Sequence, residues 1–427
     1  MLRWRFPRFA SPIAAFTLVV VLSGCMPARM VPAPVGPSQS PSAGPPGGPA
    51  AGQPALPGPG GPAKVAVLLP LSGANAELGK SMLEAAQLAL FTTGNDRLTL
   101  VPRDTGGTAE GAANAARAVI GEGAKLILGP LLAAEVGAVG PVARDAKVNV
   151  IAFSTATQLA GGNVFLMGFL PRQEVVREAS FARERGLSRF AALAPNSEYG
   201  RLMADALREA ATTAGGTVVK SEFLDPRGAD ASAAIQRLVG SGGPAGLPGA
   251  GLPGAGPPGA APPAPGSAPF DALLLPEGGE ALKQIARQLK AAGIAEPQVR
   301  LLGSGLWDDP AIAGEPALYG GWFAASPPEA RREFESRFQA TYGHAPPRLA
   351  SLAFDAAALA SVLAKGGGAT PFTSEAILNP SGFTGVDGLF RFTGQGLVQR
   401  GLAVLEVQPQ GNLVVSPAPR DFKDFAY

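Results

Sequence analysis

From Lys64 onward, short apolar runs alternate with longer amphipathic segments, and this alternation restricts the fold more than any other feature of the 427-residue chain. KVAVLLP (64–70) reads as a strand, and AELGKSMLEAAQLALF as a helix with Leu78, Met82, Ala85 and Ala89 on one face. LTLVPRD (98–104), KLILGP (125–130), VNVIAFS (148–154) and NVFLMGF (163–169) continue the strands. The helix between the first two of these starts at Thr108, a good N-cap, with Glu110 at its positive end. A second run begins at PRQEVVREASFARERG and carries strands at 189–195, 217–224, 271–277, 299–304 and 318–325. Helices are predicted over 327–342 and 348–364, followed by antiparallel strands with glycine turns.

Serial β-α units predict parallel sheets covered by helices on both faces, with right-handed crossovers. The length exceeds one comfortable core, so the two runs predict two Rossmann-like lobes. Ligands of such sheets sit beyond the carboxyl ends of the strands, so facing lobes would share a cleft and hinge around it. The expected divisions are lobe 1 at 64–170 with 345–408, lobe 2 at 171–344 and a tail at 409–427.

The N-terminal residues follow another logic. Arg3, Arg5 and Arg8 precede an apolar run from Ile13 to Leu22. Ten helical residues span roughly 15 Å, half of a bilayer core, which predicts a secretory signal over 1–25 rather than a membrane span. LSGC, ending at the only cysteine, resembles the lipobox of bacterial lipoproteins. That resemblance implies that Cys25 carries a lipid, with the outer membrane preferred and the inner membrane as the alternative. Removal of 1–25 would leave 32 basic and 33 acidic residues, a balance of −1, and no basic field for nucleic acid. Residues 26–63 hold 12 prolines and 8 glycines, and 240–269 hold 10 glycines and 9 prolines without a charge. The first is predicted to be a tether, roughly 35 Å long as a coil, and the second a disordered insertion in lobe 2.

Chemistry-bearing motifs are scarce. His344 is the sole histidine, Cys25 is committed to lipid, and neither a G-x-x-x-x-G-K-[ST] run nor a G-x-S-x-G elbow occurs. The expectation is a binding protein without catalytic residues, metal or cofactor.

KVAVLLPLSGANAELGKSMLEAAQLAL, LILGPLLAAEV, VNVIAFSTATQLA, ALAPNSEYGRLMADALREA and GFTGVDGLFRF resemble, in that order, the type I periplasmic solute-binding proteins of the branched-chain amino acid receptor group. LLPLSG, ILGPL and ALAPNSEYGR, in a lipoprotein, also resemble the penicillin-binding protein activators. The resemblance implies a ligand carboxylate held by lobe 1, at Ser72, Gly73, Ser154 and Thr155. It implies an aromatic contact from Tyr199 and a counter-charge from Glu277 or Asp308 in lobe 2. Those residues have structural readings as well: Ser72 and Gly73 as a turn, Ser154 and Thr155 as caps, Tyr199 as packing between lobes, the acids as solvated loop charges. One departure is visible, since Ala133 and Ala134 stand where such receptors offer a hydroxyl. Two functions follow as expectations. One is a regulator docking on a bifunctional penicillin-binding protein. That regulator is the preferred expectation, on the lipobox, the long tether and the alanines; the alternative is a solute receptor serving an ABC permease.

Overall fold

The computed structural model describes residues 61–224, 231–239, 268–366 and 370–423. The expected signal, Cys25, nearly all of the tether and nearly all of the 240–269 insertion lie outside them. The first run forms β1 (Ala63–Leu69), α1 (Ala76–Thr93), β2 (Leu98–Asp104), α2 (Ala109–Gly121), β3 (Leu126–Leu128), α3 (Ala133–Asp145), β4 (Asn149–Ala152) and β5 (Val164–Leu166). These strands make a wholly parallel sheet in the order β2-β1-β3-β4-β5. The second run forms α4 (Pro171–Glu184), β6 (Arg189–Pro195), α5 (Glu198–Thr213), β7 (Thr217–Leu224), α6 (Ser232–Val239), β8 (Ala272–Leu274), α7 (Gly279–Ala291), β9 (Arg300–Leu302) and β10 (Trp322–Ala325). Its sheet repeats the same winding, β7-β6-β8-β9-β10.

Alternation along each strand feeds two cores per lobe. On β1, Val65, Val67 and Leu69 pack with α1, whereas Ala66 and Leu68 face α2 and α3. On β6, Phe190 and Ala192 pack with α4 and α5, and Ala191 and Leu193 with α6 and α7. The entry to the first helix is built alike in both lobes. A Cβ at Gly79 would stand 2.0 Å from the Pro70 carbonyl oxygen, and one at Gly200 1.9 Å from that of Pro195. Only glycine lets the helix start so close to the strand that precedes it.

The rest of the chain is α8 (Pro328–Tyr342), α9 (Ala350–Gly366), α10 (Ser374–Ile377), β11 (Phe383–Gly385), β12 (Gly388–Phe392), β13 (Val398–Arg400), β14 (Ala403–Glu406) and β15 (Leu413–Ser416). Its placement moves the expected boundaries. Helix α8 packs on lobe 1, because Phe334 and Phe338 bury against Ala85 and Leu88 of α1 and Ala350 of α9. Strand β14, expected in lobe 1, pairs antiparallel with β10, and β15 of the expected tail extends the same sheet. The second sheet is therefore mixed, with two antiparallel edge strands. Strands β11, β12 and β13 form a separate antiparallel sheet, and Phe390, Phe392 and Val398 join the lobe 1 core.

The chain crosses between lobes three times, at residues 167–170, 326–327 and 401–402. Side chains bind these crossings together. Arg400 donates from Nη2 to the Met167 carbonyl at 2.8 Å, and the Arg400 amide donates to Gln173 Oε1 at 3.0 Å. Arg348 lies over the Phe169 ring at 4.0 Å and ion-pairs with Asp387 at 2.9 Å.

Candidate functional site

Each sheet reverses its winding once, between β1 and β3 in lobe 1 and between β6 and β8 in lobe 2. The neighbouring chains there run to opposite faces, so a crevice opens beyond their carboxyl ends. Ser72 and Gly73 follow β1, the Gly129–Leu132 loop follows β3, Tyr199 follows β6 and Glu277 follows β8. Four of the seven expected cleft residues therefore sit at switch points. Ser154 and Thr155 follow β4, and Asp308 follows β9.

In lobe 1 most donors are already engaged. Asp104 Oδ1, at the end of β2, accepts from the amides of Leu71 (2.8 Å), Ser72 (3.2 Å) and Gly106 (2.8 Å). Burial works against the Asp104 charge, but the Ser72 hydroxyl and these amides outweigh it and hold the carboxyl below its usual range. Gly73, at φ 77°, turns the chain out of β1. The buried Ser154 hydroxyl accepts from the Ala156 amide at 3.2 Å, a local turn contact, while Thr155 is exposed. Ala133 and Ala134 are exposed at the mouth of the β3 loop. Directly behind them lies a buried pair that the sequence reading missed. Thr105 donates to Glu135 Oε1 at 2.5 Å, and Glu135 Oε2 accepts from the Leu132 amide at 3.0 Å. The signal was present, a Glu three residues into a helix start, without the Ser or Thr that normally announces it. Thr105→Val should lower unfolding free energy by about 1.5–3 kcal/mol, because a buried charged acceptor loses its hydroxyl; urea titration measures it.

Lobe 2 presents acids. Tyr199 packs on the α4–α5 core, and its hydroxyl bonds the Ser304 side chain. Burial pushes the phenol well up, and the charges of Glu174, Glu178 and Glu277 push it further. Glu277 is half-buried, burial raises its pKa, and no side-chain partner engages it among the described residues. Glu174, in the first turn of α4, accepts from the Gly305 amide at 2.7 Å. Burial raises its pKa to about 7, against the pull of that amide and of Arg348. Glu178, one turn on, is buried, accepts from the Ala324 amide at 2.8 Å and is raised as well. Glu174 and Ser304 escaped the sequence reading. Ser304 was within reach of the strand-end rule, whereas Glu174 looked like any first-turn helix acid.

Asp308 has a different job from the expected counter-charge. Both of its oxygens are held by Arg331 of α8, one at 2.9 Å, and Arg348 Nε approaches to 3.6 Å. Its side chain is 8% exposed. The carboxylate is thus consumed in tying the β9 loop of lobe 2 to α8 on lobe 1. Among the described residues no group of three or more His, Cys, Asp or Glu side chains converges as a metal site would.

With this geometry established, comparisons with known proteins give a consistent answer. A family described as periplasmic binding protein matches residues 62–412. No curated protein matches the chain. Among solved structures, a putative branched-chain amino acid ABC transporter protein from Rhodospirillum rubrum is 21% identical, with 83% of this chain and 100% of that one covered and a TM-score of 0.69. A leucine-binding protein from Thermotoga maritima is 22% identical over 83% and 98%, with a TM-score of 0.56. An R. palustris ABC-transporter solute-binding protein in complex with benzoate is 19% identical over 85% and 98%, also at 0.56.

Proposed function

The chain belongs to the periplasmic binding protein family, and from that premise we propose that it is a solute receptor of an ABC transporter, closing its lobes on a small amino-bearing molecule. The observation that carries this reading is Glu277, an acid at the lobe 2 switch point, taken partly out of water and left without a counter-charge among the described residues. An unpaired carboxyl in that setting is stabilised by a cationic group brought by a ligand. Tyr199 beside it supplies a flat apolar wall. The solved relatives named above include a leucine-binding and a benzoate-bound protein, so amino acids and aromatic acids are the first solutes to test. Isothermal titration of leucine, isoleucine, phenylalanine and benzoate against the purified chain decides the matter. For an amino-acid ligand, Glu277→Gln should weaken binding about tenfold or more, the worth of one charge-assisted bond. No saturable heat with any amine-bearing solute would sink the reading.

A second reading has its own support. Ser72 is occupied by Asp104, the Leu132 amide by Glu135, and Ala133 and Ala134 offer no hydroxyl. A lobe 1 so poor in free donors suits a body that acts by docking, as a penicillin-binding protein activator would. Recovery of a bifunctional peptidoglycan synthase by the chain, with no solute bound, would favour it. Both readings place the protein in the periplasm, tethered through a lipid on Cys25 to the outer or inner membrane. Mass spectrometry of the N-terminal peptide from a membrane fraction tests that anchor.

A further inference from the structure

Beside the crossing at 326–327 lies a cavity of about 670 Å3, separate from the switch-point crevice. One wall is the first half of α8, with Arg331 and Arg332, continued by Arg348. The opposite wall belongs to lobe 2: Asp308 and the turn after it, and Asn412 between β14 and β15. This is the size of a site for a small organic molecule.

The charges do not cancel. Three guanidiniums line the cavity against two carboxylates, Asp308 and Glu335; Arg348 is also paired with Asp387 behind the wall at 2.9 Å, so the excess charge is that of Arg332, which has no ion-pair partner among the described residues. Asp308 is already saturated by Arg331, and Glu335 stands 3.4 Å from Arg331 Nε without a hydrogen bond. Among the described residues Arg332 donates only from Nε, to the Pro328 carbonyl at 3.3 Å. Two polar atoms of lining residues are buried without a hydrogen bond among the described residues: the donor Arg331 Nε, whose nearest anion is the Glu335 carboxylate at 3.4 Å, and the acceptor Asn412 Oδ1. They come from the two walls, and burying such atoms unbonded is unfavourable. One occupant satisfies both if it has an anionic group for the arginines and a hydroxyl or amide N–H for Asn412. The first turn of α8, which opens at Pro328 on the cavity rim, adds its positive end to the same corner.

We propose that this cavity is a second ligand site, for a small hydroxylated or amide-bearing carboxylate or phosphate. Because its walls belong to different lobes, an occupant sets their spacing along the Asp308–Arg331 tie.

Calorimetric titration of the full chain with glycerol 3-phosphate and, in parallel, glycerate tests the site and separates the two anion types; glycerol serves as the neutral control. Saturable binding of either anion is expected, with no binding of glycerol. Arg332→Ala and Asn412→Ala, both at partly or fully exposed surface positions, should each weaken it about tenfold. Glu277→Gln should leave it unchanged. The proposal is overturned if neither anion binds up to about 10 mM, a limit near the weakest affinities of interest. Binding that survives both Arg332→Ala and Asn412→Ala, or that fails in Glu277→Gln, overturns it equally.

Discussion

Arg400→Met is expected to remove about 3–5 kcal/mol of unfolding free energy at pH 7.5, the usual consequence of breaking a buried ion cluster from one side. Arg400 is 2% exposed, Asp355 1% and Asp387 0%. Asp387 has Arg348 at 2.9 Å and feels the Arg400 charge; among the described residues Asp355 accepts only from the amides of Val386 (2.7 Å) and Asp387 (3.3 Å). Removing the guanidinium leaves two carboxyls in a dry site with one cation between them. Methionine keeps the stem against Phe169 and Phe390, whose rings lie 5.0 and 5.5 Å from the Arg400 guanidinium carbon. The loss therefore reports charge and the Met167 bond rather than a cavity. Asp387→Asn in the Arg400→Met background should recover part of it, because the stranded charge goes too. Urea unfolding followed by circular dichroism measures both variants. A loss below about 1 kcal/mol would mean that Arg348 alone compensates the pair.

What the sequence made legible follows physical range. Strands β2, β6 and β7 have the bounds that the apolar runs mark: β2 ends on Asp104, β6 ends on Pro195, and β7 starts directly after Gly216. The two-lobed α/β plan follows from the order of the elements. The errors are of another kind. Helix α8 has a lobe 2 neighbour in sequence, and only Phe334 and Phe338 meeting Ala85 and Leu88, some 250 residues earlier, attach it to lobe 1. Strand β14 follows lobe 1 strands with no break in its pattern, and pairing with β10 is a tertiary choice. Sequence position and the resemblance put Ser72, Tyr199 and Glu277 just after β1, β6 and β8, where the structure has them. They could not reveal that Asp308 is taken by Arg331, because that pair depends on how α8 docks. Nor could they show that Asp104 and Glu135 had already engaged lobe 1 donors.

Stability should fall as pH rises from about 5 to 7, opposite to the trend set by ordinary salt-bridged carboxyls. Asp355 is raised to about 7, first by burial and then by the Asp387 charge, with Arg400 and two amides opposing. Glu174 is raised to about 7 by burial, with the Gly305 amide and Arg348 opposing and Asp308 adding to the rise. In the unfolded chain these groups release their protons near pH 4. Through the window between, the folded protein holds protons that the unfolded chain has lost. Unfolding free energy therefore drops with rising pH, by up to about 1.4 kcal/mol per unit for each group. Glu178, raised for the same reason, acts in the same direction. Asp387 is shifted the other way, so its contribution disappears only as pH falls below the ordinary Asp range, outside this window. The protein should be more stable at pH 5.5 than at pH 7 by about 2–4 kcal/mol. Glu174→Gln should remove about half of that difference, and Arg400→Met should cost less at pH 5.5, where Asp355 is neutral. Urea titrations across pH 5–7.5 read all three. A flat or rising profile would show that solvent reaches Glu174 and Asp355 and that the crossings between the lobes are not dry. The Asp308–Arg331 tie contains neither group, so protonation that strengthens the fold leaves this bond between the lobes in place.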